Sequence, residues 1–175
     1  ALVHRWIDDL NAYPHRCWEQ ILSRGVAAAI AIERGDGERW PDAKAAVQEA
    51  LENVAVFQGE NGAFRYFADA EDPGRYEEEK AQHALTAYSM RALRLLRDMG
   101  HAVPADALSR GEGFLQRRSQ SSGDDKAQAE QTAFVAAGQT RPGRAVLDAL
   151  WRQWPAFGLP ARVATTRAML AGEHP

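Results

Sequence analysis

Between Ala81 and Met99 the apolar side chains fall at Ala81, Ala84, Leu85, Tyr88, Ala92, Leu95, Leu96 and Met99, stepping by three and four. Only a helix with one apolar face brings such a set together. The same period recurs on either side, and Gly or Pro breaks it at short intervals. The spacing predicts helices over Leu2 to Ala12, Cys17 to Arg34, Tyr76 to Met99, Gln128 to Ala137, Pro142 to Trp154 and Pro160 to Leu170. Two more start at prolines: Pro41, leading into Ala43, Ala46, Val47, Ala50, Leu51 and Val54, and Pro104, fading near Ser119. Glu77, Glu78 and Glu79 in the first turn of the longest helix and Arg94 and Arg97 near its end suit the helix dipole, and Gly100 stops it. Gln58 to Gly74, rich in Gly and aromatic residues, reads as a loop. No stretch alternates with the two-residue period of a half-buried strand. The expected fold is all-α: antiparallel helix pairs joined by short loops, as a bundle or as an arc of a helical toroid.

Composition narrows the functions open to such a fold. The 175 residues suit one domain. With 21 Lys and Arg against 24 Asp and Glu, the formal charge is -3, so the basic excess of a general nucleic-acid binder is missing. No apolar run approaches the roughly 18 residues of a membrane span. The chain opens Ala1-Leu2-Val3-His4 with no initiator Met and no leader, which predicts a processed polypeptide or a piece of a longer one. The one cysteine, Cys17, excludes a disulfide framework and a multi-thiolate zinc site. His15, His83 and His101 form no metal-ligand spacing, and no cofactor is expected.

That cysteine opens the run Cys17-Trp18-Glu19-Gln20. Pro14 places Cys17 in the first turn of its helix, and residues three apart share a face, so the Gln20 carboxamide lies near the sulfur. A thiol at a helix N-terminus is acidified by the helix dipole. A thiolate beside a carboxamide can attack its carbonyl, and loss of ammonia leaves an internal thioester between Cys17 and Gln20. A buried, inert Cys followed by two surface polar residues is the plain alternative.

The segment Tyr13-Pro14-His15-Arg16-Cys17-Trp18-Glu19-Gln20 resembles the thioester motif of the alpha-2-macroglobulin and complement family, above all its bacterial members. Gln58-Gly59-Glu60-Asn61-Gly62-Ala63-Phe64-Arg65-Tyr66-Phe67 is similar to that family's glycine-aromatic loop. Leu85-Thr86-Ala87-Tyr88 through Gly100-His101-Ala102-Val103-Pro104-Ala105-Asp106 is similar to the helix pair after it. The resemblance implies that residues 1–175 form a single domain, the N-terminal portion of an α/α-toroid thioester domain about twice this length. It also implies a non-enzymatic trap. A protease cleaves a bait region elsewhere, the thioester is exposed, and an amine of the protease is acylated. The implied partners are trapped proteases and other domains of the parent chain. The implied location is the periplasm, with the parent lipid-anchored to the inner membrane.

Two departures from the family pattern stand out. Arg16 occupies the place before the Cys where relatives commonly have Gly. Between Ala102 and Glu173 there is no His of the kind some complement relatives use to steer acylation toward hydroxyls, which leaves direct reaction with amines.

A thioester needs an apolar shield, for which Tyr13, Trp18, Phe64, Tyr66 and Phe67 are candidates, and Phe64 serves equally as core. His15 either helps deprotonate Cys17 or is an exposed turn residue. His83, off the apolar stripe, is expected to face solvent, and His101 follows a helix C-terminus. A terpene-cyclase-like toroid would share the helices, but it needs an acidic cluster. Asp8-Asp9 lacks a third carboxylate in register, and Asp124-Asp125 lies among polar neighbours. A purely structural helical module is the third alternative. If the chain is part of a ring, its end helices, with Trp6, Leu10, Val163 and Leu170, keep apolar flanks and should drive weak self-association.

Overall fold

The computed structural model describes residue 9 and residues 16–68, 79–119 and 126–172. The described helices are α1 (Trp18–Glu33), α2 (Ala43–Glu52), the single turn α3 (Val54–Phe57), α4 (Glu79–Asp98), α5 (Ala105–Ser119), α6 (Lys126–Gly138), α7 (Arg144–Gln153) and α8 (Leu159–Ala171). Short 3-10 turns lie at Gly37–Arg39 and Trp154–Ala156. Among the described residues there is no strand, only an isolated antiparallel bridge between Gln58 and Phe64. The fold is all-α.

Small residues set how closely the helices pair. Trp18, Ile21, Leu22, Gly25, Ala28 and Ala29 of α1 are buried, and so are Ala43, Ala46, Val47 and Ala50 of α2. A Cβ on Gly25 would stand 2.5 Å from Ala50 Cβ, so the two backbones meet at a distance only glycine permits. α4 packs against α1, α5 and α6, and α6 in turn against α7 and α8. The core has two clusters. One spans α1 to α5 with Val135 of α6, and the other joins α6, α7 and α8.

The central place of α4 corrects the one-stripe expectation. Leu85, Ala92 and Leu96 are buried as expected, but Ala84 and Leu95 are exposed. Thr86, Ala87, Ser89, Met90 and Leu93 are buried as well, because neighbours cover α4 on more than one side. His83, expected to face solvent, is buried and stacks on Phe114 of α5, ring centroids 4.9 Å apart. Gly100 ends α4 with φ 87°, and the His101 N–H reaches back to Leu96 O at 3.0 Å.

Other boundaries differ by a residue or two. Asp42 caps α2, so Pro41 lies in the turn before it and not at the first helical position. Asn53 breaks the run and puts Val54 in α3. Pro155 falls in the 3-10 turn after α7, shortening the last expected turn of that helix. The helix expected over Leu2 to Ala12 lies outside the described residues except for Asp9, which is helical and exposed. Residues 76–78, Asp8, Asp124 and Asp125 also lie outside them.

Candidate functional site

Cys17 is the N-cap of α1, with extended backbone (φ −72°, ψ 161°). Helix N-termini leave N–H groups without intrahelical acceptors, and here two side chains of the motif supply them in a capping box. The Cys17 N–H donates to Gln20 Oε1 at 3.2 Å. The Gln20 N–H lies over the Cys17 sulfur and also reaches Cys17 O at 3.0 Å. The Gln20 side chain is therefore folded back along the helix axis onto the cysteine. Cys17 is only 9% exposed and Gln20 is half-buried, whereas Glu19 points to solvent. Thiol and carboxamide are thus held together at the rim of the core.

Trp18 fixes this end of α1. Its side chain is fully buried, stacked between Phe57 (centroids 5.4 Å apart, planes at 23°) and Phe64 (5.2 Å, 6°). Its indole N–H donates to Ser89 Oγ at 2.7 Å, and that hydroxyl donates to Leu85 O at 2.8 Å, so the motif is tied to α4. Its backbone N–H donates to Tyr66 O at 2.9 Å, which gives a third first-turn donor an acceptor.

The glycine-aromatic loop is the buttress behind this anchor. The Gln58 carboxamide donates to Gly62 O at 3.1 Å and to Ala107 O of α5 at 2.9 Å. The Phe64 N–H donates to Thr86 Oγ1 of α4 at 2.9 Å. Gly62 has φ +89°, and a Cβ there would stand 2.3 Å from Arg110 O, so glycine is required for both its conformation and its fit.

Phe64 is accordingly core and does not cover the site from outside. Tyr66 is half-buried and Phe67 about half exposed. Burial raises the Tyr66 phenol above its usual 10, with Glu19 and then Cys17 adding to the effect. Tyr88 is raised as well. Burial leads and Glu19 adds to it, against a lowering hydrogen bond with Ser23 (Oγ to Oη 2.5 Å) and the nearby Arg91. Tyr13 and His15 lie outside the described residues.

Arg16, immediately before the cysteine, is exposed and pairs with Glu49 of α2, whose other carboxylate oxygen faces Arg24 of α1 at 3.4 Å. Three contributors to the site were not visible in the sequence. Ser89 and Thr86 are hydroxyls buried among the apolar side chains of α4, a helix with many polar residues elsewhere, so they give only a weak signal in the sequence. Glu49 is an unremarkable charge on an amphipathic helix and gives none.

No family model matches the chain. It is 30% identical over 128 residues to the alpha-2-macroglobulin of Escherichia coli strain K12, an alignment covering 69% of this chain and 7% of that protein. It superposes on native E. coli alpha-2-macroglobulin, in a structure running from domain MG7 to the C-terminus, with a TM-score of 0.70 and 23% identity, covering 98% of this chain and 29% of that one. With Salmonella alpha-2-macroglobulin reacted with methylamine the TM-score is 0.73 and the identity 25%, covering 98% of this chain and 12% of that one. The chain thus spans a small fraction of the proteins it matches. It is a relative of the bacterial alpha-2-macroglobulins, corresponding to a helical portion of them.

Proposed function

We propose that Cys17 and Gln20 form an internal thioester, and that this chain is the thioester-bearing helical part of a protease-trapping inhibitor. The observation that carries the reading is the reciprocal capping box, which folds the Gln20 carboxamide onto the cysteine at a nearly buried position. In the closing step the Cys17 thiolate attacks Gln20 Cδ. The C–N bond breaks, and the nitrogen leaves as ammonia with the proton the thiol gave up. In the opening step an amine attacks the same carbon, the C–S bond breaks, and the released thiolate takes the amine's proton. The products are an amide to the attacking molecule and a free Cys17 thiol. Each cysteine reacts once, so the protein is a trap and not an enzyme.

The attacking amine is proposed to be a lysine of a protease that has cut the parent chain elsewhere. The proposed setting is the periplasm, with the parent tethered to the inner membrane by a lipid. Leu159, Val163 and Leu170, which share one exposed stripe of α8, support a weak self-association of the isolated chain.

Thiol titration of the native chain tests the bond. The wild type should show no free thiol until methylamine is added and then one per chain, and Cys17→Ala should show none at any stage. A thiol fully titratable from the start would contradict the reading.

A further inference from the structure

We propose that the Cys17 N–H is the oxyanion donor for the acyl carbon of Gln20, and that Glu49, acting through Arg16, is the positioning residue that keeps it aimed; the inference rests on the thioester reading above. In both closing and opening, a nucleophile adds to Gln20 Cδ and the carbonyl electron pair moves onto Oε1. A donor that already faces this oxygen stabilises the charge as it develops. The Cys17 N–H is that donor, 3.2 Å from Oε1. The contact is slightly longer than the usual 2.9–3.0 Å, which leaves room for it to tighten as charge builds.

The donor belongs to the Arg16–Cys17 peptide, which precedes α1 and has no place in its hydrogen-bond ladder. On the Cys17 side the peptide is fixed by the N-cap and by the Trp18 N–H on Tyr66 O. On the other side, the Arg16 side chain holds it by reaching Glu49 on α2. Glu49 is suited to this because its second oxygen faces Arg24, about one turn further along α1 than Gln20. One carboxylate therefore ties the segment before the cysteine to the helix after it. The Arg16 end is 73% exposed and the Glu49 side chain 23%, so the pair is open to salt but its acidic partner is well seated. Glu49 touches neither reacting atom; its effect is on the direction of the N–H.

The test is the rate at which methylamine releases the Cys17 thiol from the full chain. Glu49→Gln keeps the shape of the side chain and removes its charge. Release should slow about twofold to fivefold, which is what a partly exposed ion pair transmits. Arg16→Ala, at an exposed position that the fold does not need, should slow it equally. In the wild type, rising salt should bring the rate down toward that of Glu49→Gln, whose own rate should be flat, because screening weakens only the intact pair. Arg16→Lys, which keeps the charge that reaches Glu49, should recover most of the rate lost in Arg16→Ala. A pair acting only on folding would shift melting without this salt dependence or recovery. Equal rates in thioester-bearing wild type and Glu49→Gln, or an Arg16→Lys variant no faster than Arg16→Ala, would overturn this proposal alone. A wild-type chain that never loses ammonia would overturn the thioester reading and this proposal with it.

Discussion

The two hydrophobic clusters are built from different materials. The first, over α1 to α5, is centred on large side chains that are fully buried: Trp18, Trp40, Phe64, Leu22, Met90, Leu93, Leu96 and Leu115. The second, over α6 to α8, is largely alanine: Ala129, Ala133, Ala136, Ala161, Ala164 and Ala168, with Leu147, Leu150, Phe157 and Met169. Burial stabilises in proportion to apolar area, at about 25 cal/mol per Å². Alanine brings little area, so the second cluster is held less by its own core than by what it leans on.

It leans on the first where α6 packs on α4 and places Val135 in the first cluster, and a polar junction reinforces that contact. Arg94 of α4 donates to Gly138 O at the end of α6 and to Glu112 of α5. Glu112 also receives the Thr140 N–H and hydroxyl at 3.2 Å. Burial lowers the Arg94 guanidinium below its usual value, and Glu112 beside it opposes that shift. The closeness of the junction is set by Gly138, where a Cβ would stand 2.6 Å from Ala87 Cα. The contrast suggests a division of labour. The aromatic cluster holds the motif still, and the alanine cluster extends the helical array, with apolar residues left outside on α8: Leu159 is 74% exposed and Leu170 76%.

The largest effect should come from Trp18→Ala. It removes the ring stacked on Phe57 and Phe64 and leaves Ser89 without its donor, at a cost of about 3–5 kcal/mol. Chemical denaturation should show the whole first cluster weakened, and the proposed thioester should fail to form. If Trp18→Ala costs less than a comparable truncation at Leu147 in the second cluster, the contrast drawn here is wrong.

Glu112→Ala should cost about 1–3 kcal/mol, since it leaves a half-buried Arg94 with only the Gly138 carbonyl and no carboxylate beside its charge. The loss should be local. Hydrogen exchange should speed up in α6, α7 and α8 while α1 and α2 stay protected. Uniform acceleration would mean that the two clusters are one cooperative unit.

Alkaline pH should act on the first cluster through two tyrosines. Tyr66 and Tyr88 both have folded-state pKa values above 10. The folded chain therefore keeps protons that the unfolded chain releases, so their contribution is intact below pH 10 and is lost as pH rises above it. The double variant Tyr66→Phe with Tyr88→Phe should flatten this decline, as read from melting temperature against pH.

The smallest effect belongs to the outer stripe of α8. Leu159→Ser with Leu170→Ser should leave stability within about 0.5 kcal/mol. It should also remove any concentration dependence of sedimentation, and a wild type that stays monomeric throughout would show that the stripe does not mediate self-association.

Much of this was legible before the structure. Helix ends announced themselves through residues with little choice, such as Gly100, which closes α4 with a positive φ. Cys17 and Gln20 were placed together by helical spacing alone, and the capping box supplied the atoms that meet. What escaped depends on tertiary placement. His83 reads as polar and off the stripe, yet the packing of α5 on α4 buries it against Phe114. Phe64 reads equally as shield and as core, and only the stacking on Trp18 decides for core. Glu49 carries no local mark, since its importance comes from which two arginines of distant segments reach it.

The central claim is that the cysteine and glutamine of this motif are covalently joined. The intact mass of freshly purified native chain tests it most directly. The account predicts a mass below that of the sequence by one ammonia, which rises by one methylamine on treatment with that amine and equals the sequence mass in Gln20→Ala. An unmodified wild-type mass that methylamine leaves unchanged would contradict it.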